Sequence, residues 1–165
     1  MSNPAQDYFL KLWIRSIDKP FVFPVAEAAW GRFKRSFQAK KDGFFIFATR
    51  DGRTMALNLN CVQLAQVWIE AKEEPQDPWD SPGVTFYLSG GKSESFEVRD
   101  PVDLAQIFTK LKVGTEEENL SFTGGDEKLI IFDTNELILL EAATDFVEEG
   151  YKQIYFRERG TLPPR

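Results

Sequence analysis

The residues best placed to do chemistry in this chain are cations and carboxylates, because histidine is absent and cysteine occurs once, as Cys61. Arg32, Lys34, Arg35, Lys40 and Lys41 crowd five positive charges into residues 32–41. Such a cluster can hold phosphate groups or an acidic protein surface. It can equally be the solvated face of a helix, since Lys and Arg are good helix formers. Trp79, set among acids and prolines, is the second candidate contact. An exposed aromatic can anchor a partner, or it can fold back and cap a core. Arg32, Lys34, Arg35, Lys40, Lys41 and Trp79 are therefore the expected partner-binding residues.

Other polar clusters carry less. Glu116-Glu117-Glu118 and Glu148-Glu149 concentrate acids, but they lack the Asp/Asn spacing and the glycine of a calcium loop. They read as solvated charge runs. Gly90-Gly91 and Gly124-Gly125 lack the Gly-Lys-Ser/Thr of a phosphate loop and read as hairpin turns. Cys61 reads as a small buried thiol, whose reactivity would need a lowered pKa.

The missing residue types exclude whole classes. Histidine is the usual general base near neutral pH and the commonest metal ligand. Without it there is no Ser-His-Asp triad, no Cys-His pair and no ordinary zinc site. Carboxylate, lysine and tyrosine chemistry stay open. We expect no catalytic residues, no metal and no cofactor. One cysteine permits no disulfide within the chain, and no apolar run approaches the roughly 20 residues of a membrane helix. The opening Met1-Ser2-Asn3-Pro4 lacks the basic start and apolar core of a signal peptide. The expectation is a soluble cytoplasmic protein of bacterial origin that does not engage a membrane.

The elements that must position these residues follow from periodicity. Leu10, Leu12 and Ile14 alternate with Phe9, Lys11, Trp13 and Arg15, which predicts a strand. Phe21-Val22-Phe23 is a short second strand. Ala26, Ala29, Trp30, Phe33 and Phe37 recur at three and four, predicting a helix from Pro24 to about Ala39. Phe44 to Thr49 and Thr54 to Leu59 flank an Asp51-Gly52 hairpin signal. Val62 to Ala71 reads as a strand, with a short helix as the alternative. Residues 72–82 hold three prolines and several acids and form a linker. Val84 to Leu88 and Ser93 to Val98 then flank the Gly90-Gly91 turn. Asp100-Pro101 opens a second helix with stripe Leu104, Ile107, Phe108 and Leu111. Leu120 to Thr123, Lys128 to Phe132 and Leu137 to Ala142 are three more strands. Tyr151 to Arg157 alternates and is expected as an extra strand; residues 158–165 are expected to be a flexible tail.

The chain also resembles itself. A shift of 75 residues sets Asn60 on Asn135, Val62 on Leu137 and Leu64 on Leu139. Phe23-Pro24-Val25 and Asp100-Pro101-Val102 both precede an apolar-periodic segment. The expected fold is α+β: a tandem duplication of a β-β-α-β-β(-β) unit, mainly antiparallel sheets each covered by one helix, in a pseudo-twofold arrangement. The length suits one domain, built of a first repeat (8–71), the linker and a second repeat (83–157).

Charge separates the halves. Residues 1–60 carry 10 Lys/Arg against 5 Asp/Glu, and residues 61–150 carry 6 against 20. A dipolar chain of this kind can dock head to tail with its neighbours or present a basic face to an acidic partner. The leading expectation is a non-catalytic interaction module that binds another protein or itself, with a homodimer as one form. Nucleic acid is disfavoured by the net charge of −6. A nucleic-acid contact at the first helix, and a small ligand or carboxylate-based enzyme in a cleft between the repeats, are the alternatives.

Overall fold

The computed structural model describes residues 6–39, 42–71, 83–113 and 119–159. The first half runs β1 (Gln6–Ile14), β2 (Phe21–Val25), α1 (Glu27–Gln38), β3 (Phe44–Ala48), β4 (Arg53–Asn58), a 3-10 corner (Leu59–Cys61) and β5 (Val62–Ala71). The second runs β6 (Gly83–Leu88), β7 (Lys92–Glu97), α2 (Pro101–Val113), β8 (Asn119–Thr123), β9 (Leu129–Asp133), a 3-10 corner (Thr134–Glu136), β10 (Leu137–Ala143) and α3 (Thr144–Arg159). The fold is α+β and every strand pairing is antiparallel. The linker 72–82 and the last six residues lie outside the described residues.

Local chemistry explains most elements. Leu10, Leu12 and Ile14 are buried, so the alternation on β1 points one face inward. Asp100 Oδ1 accepts a hydrogen bond from the Val102 backbone N–H at 2.9 Å, which satisfies a donor that the first turn of α2 leaves open. Leu104, Ile107, Phe108 and Leu111 are buried as one stripe. Residues 62–71 form a strand, not the alternative helix.

Two expectations are corrected. The first helix begins at Glu27, not Pro24. Pro24 lies within β2 opposite Phe9, on an edge strand, where a missing N–H costs no ladder bond. Pro101, in contrast, opens α2, so the two prolines do not match. Residues 151–159 are helical, inside α3, so 151–157 form no extra strand and Glu158 and Arg159, expected in the tail, belong to the helix. The alternation of Tyr151, Gln153 and Tyr155 hid a helical spacing: Val147 and Gly150 are buried, and Ile154 is half-buried. Gly150 lies against α2 so closely that a Cβ there would sit 2.0 Å from the Pro101 carbonyl oxygen.

Both halves follow one order up to α3, and their registers agree in detail. β1 pairs with β5 through Trp13↔Leu64 and Ile14↔Val62, skipping Gln63. β6 pairs with β10 through Tyr87↔Leu139 and Leu88↔Leu137, skipping Ile138. A bulged residue therefore sits at the same place in each sheet, 75 residues apart. Asn58 accepts from the Asn60 N–H and Asp133 from the Asn135 N–H, shaping the two corners alike. Positive φ recurs too, at Gly52 (90°) and Glu127 (66°), and at Ser16 (70°) and Gly90 (83°).

The halves differ in how their hairpins are used. The sheets order as β2-β1-β5, β3-β4-β10-β6-β7 and β8-β9. The β3–β4 hairpin of the first half thus completes the sheet of the second, with Leu57, Met55 and Arg53 opposite Leu139, Glu141 and Ala143. Its β8–β9 counterpart completes no sheet among the described residues. Two cores result. One gathers Leu12, Phe23, Phe33, Met55 and Leu139; the other gathers Phe86, Phe108, Phe122, Leu140 and Val147.

Candidate functional site

Three places combine polar or reactive groups with access. The first is the seam between β4 and β10. Arg53 reaches Glu141 at 3.2 Å and Asp51 at 2.7 Å, and Thr49 hydrogen-bonds Asp51. Glu141 is buried, and burial pushes its carboxyl above the usual range although Arg53 pulls it down. Burial works against the charge on Arg53, yet hydrogen bonding and charge from Asp51, then Glu141, more than offset it and hold its pKa above the ordinary value. The Arg53 guanidinium also lies 5.4 Å from the Phe23 ring centre. Arg53, Asp51, Glu141 and Thr49 are all engaged by neighbours, and they tie the two halves together across the seam.

The second place is a cleft of about 440 Å³ where the corners of the two halves meet, lined by Arg15, Asn58, Asn60, Cys61, Ser89 and Asn135 among others. Among the described residues no carboxylate lines it. Its polar groups hold backbone: Asn58 Nδ2 donates to Leu137 O at 3.2 Å, Arg15 donates to Asn60 O at 3.3 Å, and Ser89 Oγ donates to Glu136 O at 3.4 Å. Cys61 is half-buried, and burial raises its thiol pKa against a smaller lowering by Arg15. That favours the inert thiol over the thiolate. The one raised carboxyl of the molecule's described residues, Glu141, lies outside this cleft.

The third place was not foreseen from sequence: the outer edges of β5 and β9. Both strands terminate their sheets. Seven large hydrophobic residues are exposed among the described ones, and four of them lie here: Leu64 (56%), Ile69 (50%), Leu129 (65%) and Ile131 (62%). Edge strands ordinarily carry charges, prolines or bulges that deter pairing. The edge strand β7 is Lys-Ser-Glu-Ser-Phe-Glu, β2 contains Pro24, and β8 presents Asn119, Ser121 and Thr123. β5 has a single charge, Glu70, in ten residues, and β9 has only the terminal Asp133. The outer face of the first sheet is also aromatic, with Phe9 stacked on Trp68 at 5.7 Å and the Lys11 ammonium 4.9 Å from the Trp13 ring.

Of the residues expected to bind a partner, Arg32, Lys34 and Arg35 are exposed on α1. Arg32 leans over Phe45, 5.5 Å from its ring centre. Lys40, Lys41 and Trp79 lie outside the described residues, as do Glu116, Glu117 and Glu118. Among the described residues no group of three or more His, Cys, Asp or Glu is placed to hold a metal ion, and no helix is long and apolar enough to cross a membrane. No known protein-family model matches the chain, and no curated protein or solved structure matches it significantly.

Proposed function

We propose that the chain is a non-catalytic interaction module, an adaptor or assembly subunit that binds protein through its open sheet edges. The observation that carries this reading is the pair of edge strands β5 and β9, each with two large apolar side chains in solvent. A strand edge offers a row of backbone donors and acceptors to any extended partner, and apolar side chains beside it add burial. The opposed charges of the two halves support the same reading, because they orient a partner before contact. The tandem duplication of one unit is part of this proposal, supported by the matched registers and corners. The engaged polar groups of the seam, and a cleft lined by no carboxylate among the described residues, favour binding over catalysis.

The test is an affinity capture from the source cells with the wild type beside two variants: Leu64→Lys on an edge and Arg32→Glu/Lys34→Glu/Arg35→Glu on α1. A protein retained by the wild type and lost with Leu64→Lys supports the edge reading. Loss only with the α1 variant moves the contact to the basic helix, and nuclease-sensitive retention there moves the partner to nucleic acid.

A further inference from the structure

The chain carries a worked example of how its open edges are meant to be filled. Within one molecule, β4 of the first half lies antiparallel on β10 of the second. The equivalents of β4 and β10 at a shift of 75 are β9 and β5. Among the described residues β9 has no partner but β8, and β5 none but β1. Each chain therefore holds one filled donor–acceptor pair, one empty acceptor (β5) and one unused donor (β9). The exchange runs one way. A donor and an acceptor left over on the same chain are complementary to each other on two chains.

We infer that β9 of one copy pairs antiparallel with β5 of a second copy, in the register of the internal seam. This rests on the reading of the chain as an interaction module and names its partner as the chain itself. Transposing the observed pairs Leu57↔Leu139, Ala56↔Leu140 and Thr54↔Ala142 sets Phe132 opposite Leu64, Ile131 opposite Ala65 and Leu129 opposite Val67. The transposition uses no exposure data, yet it places three of the four exposed edge hydrophobics along the joined strands, Leu129 and Ile131 on one face of the new sheet and Leu64 on the other. It also joins the first half, whose residues 1–60 are basic, to the acidic second half of the neighbour. Such a contact joins unlike surfaces, so it closes into a ring if the rotation allows and otherwise grows into a filament.

Sedimentation of the wild type, Leu64→Lys and Ile131→Lys, alone and mixed, tests this. Both positions are exposed in the single chain, so circular dichroism melts should match the wild type. Expected results are a wild-type mass at least twice the 18.9 kDa of one chain, rising with concentration, and for each variant alone a dissociation constant weaker by roughly 30-fold or more. The equimolar mixture regains a one-to-one complex, because the first variant keeps an intact β9 and the second an intact β5. A register check uses Val67→Cys with Leu129→Cys in a Cys61→Ser background, which should cross-link between chains on oxidation. Gln66→Cys with Leu129→Cys, on opposite faces, should not.

If one variant alone still associates like the wild type, like edges pair with like: self-association stands and the β5–β9 contact falls. A mixture that stays monomeric while the wild type associates also overturns the contact. A wild type that remains a single chain at all concentrations removes the second copy as partner. The capture experiment with Leu64→Lys then decides separately whether the edges bind anything.

Discussion

The filled seam and the open edges are made of strands at corresponding places in the two halves, and they differ mainly in the residues those strands carry. At the seam, β10 is buried along its whole length and its lone charge, Glu141, meets Arg53. The joint is clasped further by α3: the Thr144 N–H donates to Gly52 O at 2.8 Å, and the Thr54 and Thr144 hydroxyls lie 2.8 Å apart. At the open edges the corresponding residues are Gln66 in place of Glu141 and Lys128 in place of Arg53, with Trp68 where the seam has Ala143. Where the seam has an ion pair, the open strands carry an amide and a lysine, and the proposed register would set that lysine opposite the indole. The difference teaches what would separate a permanent joint from a reversible one if the open edges pair as proposed. A buried charge pair punishes separation, because either partner left alone stays desolvated. An apolar edge without buried charge can part and meet again.

The largest way to break this contrast is Arg53→Ala. It strands the buried Glu141 carboxylate and should cost about 3 kcal/mol at neutral pH, read as a drop in the urea midpoint. The same cut at the open joint, Lys128→Ala, should leave the single chain's stability within about 0.5 kcal/mol, because Lys128 is exposed. Equal losses would show that the two joints are not distinguished by buried charge. Gly150→Ala comes close behind. A Cβ 2.0 Å from the Pro101 oxygen must push α3 off α2 and loosen the clasp, at about 2–3 kcal/mol. An unchanged midpoint would place α3 differently.

How much of this could be read in advance divides along physical lines. Strands such as β1 were legible because Leu10, Leu12 and Ile14 face one side of a sheet. α2 was legible because Asp100 and Pro101 announce its start. The likeness of the halves was visible in Asn60 and Asn135, which shape equivalent corners. The neighbour of a given strand was not legible: β4 lies on β10 through contacts some 80–90 residues apart in sequence, such as Arg53 with Glu141, and no local propensity encodes them. Yet a signal existed. Leu137-Ile138-Leu139-Leu140-Glu141 is an uninterrupted apolar run with one acid, which suits a central strand whose charge needs a partner. Val62-Gln63-Leu64-Ala65-Gln66, at the same place in the first half, is interrupted by two glutamines and holds no charge, which suits a strand with an edge in water. α3 was misread because three aromatic and polar residues alternate over a span too short to separate a strand from a helix.

A pH series sharpens the seam side of the comparison. Burial raises the folded-state carboxyl of Glu141 above its unfolded value, so the native state keeps its proton to a higher pH than the unfolded chain does. Stability from this group is fully present below the ordinary glutamate range. It is lost as pH climbs from there through the raised folded value. Glu141→Gln imitates the protonated form. It should remove that part of the decline and equal or exceed the wild type at neutral pH. The loss caused by Arg53→Ala should also shrink on acidification, as the stranded carboxyl takes up a proton. Parallel pH curves for wild type and Glu141→Gln would sink this account of the seam.

The smallest effect lies in the hairpin that the open joint would use. Glu127 holds φ at 66° in the β8–β9 turn, where the internal hairpin has Gly52 at 90°. Its N–H closes on Gly124 O at 3.0 Å, as the Gly52 N–H does on Thr49 O at 3.3 Å, so the turn requires the left-handed region in both. A side chain there costs roughly 1–2 kcal/mol. Glycine relieves that cost but gives back part of it through a freer unfolded chain. The Arg99–Glu127 pair at 3.7 Å, exposed on both sides, contributes almost nothing to offset the change. Glu127→Gly should therefore stabilise the chain by about 0.5–1 kcal/mol in urea denaturation. Hydrogen exchange should slow at Phe122 and Ile130, which pair across β8 and β9, and not at Phe45 and Leu57 in the internal hairpin. Equal slowing in both hairpins would mean that the strain is shared through the core, and the open hairpin would then be no looser than the one already docked.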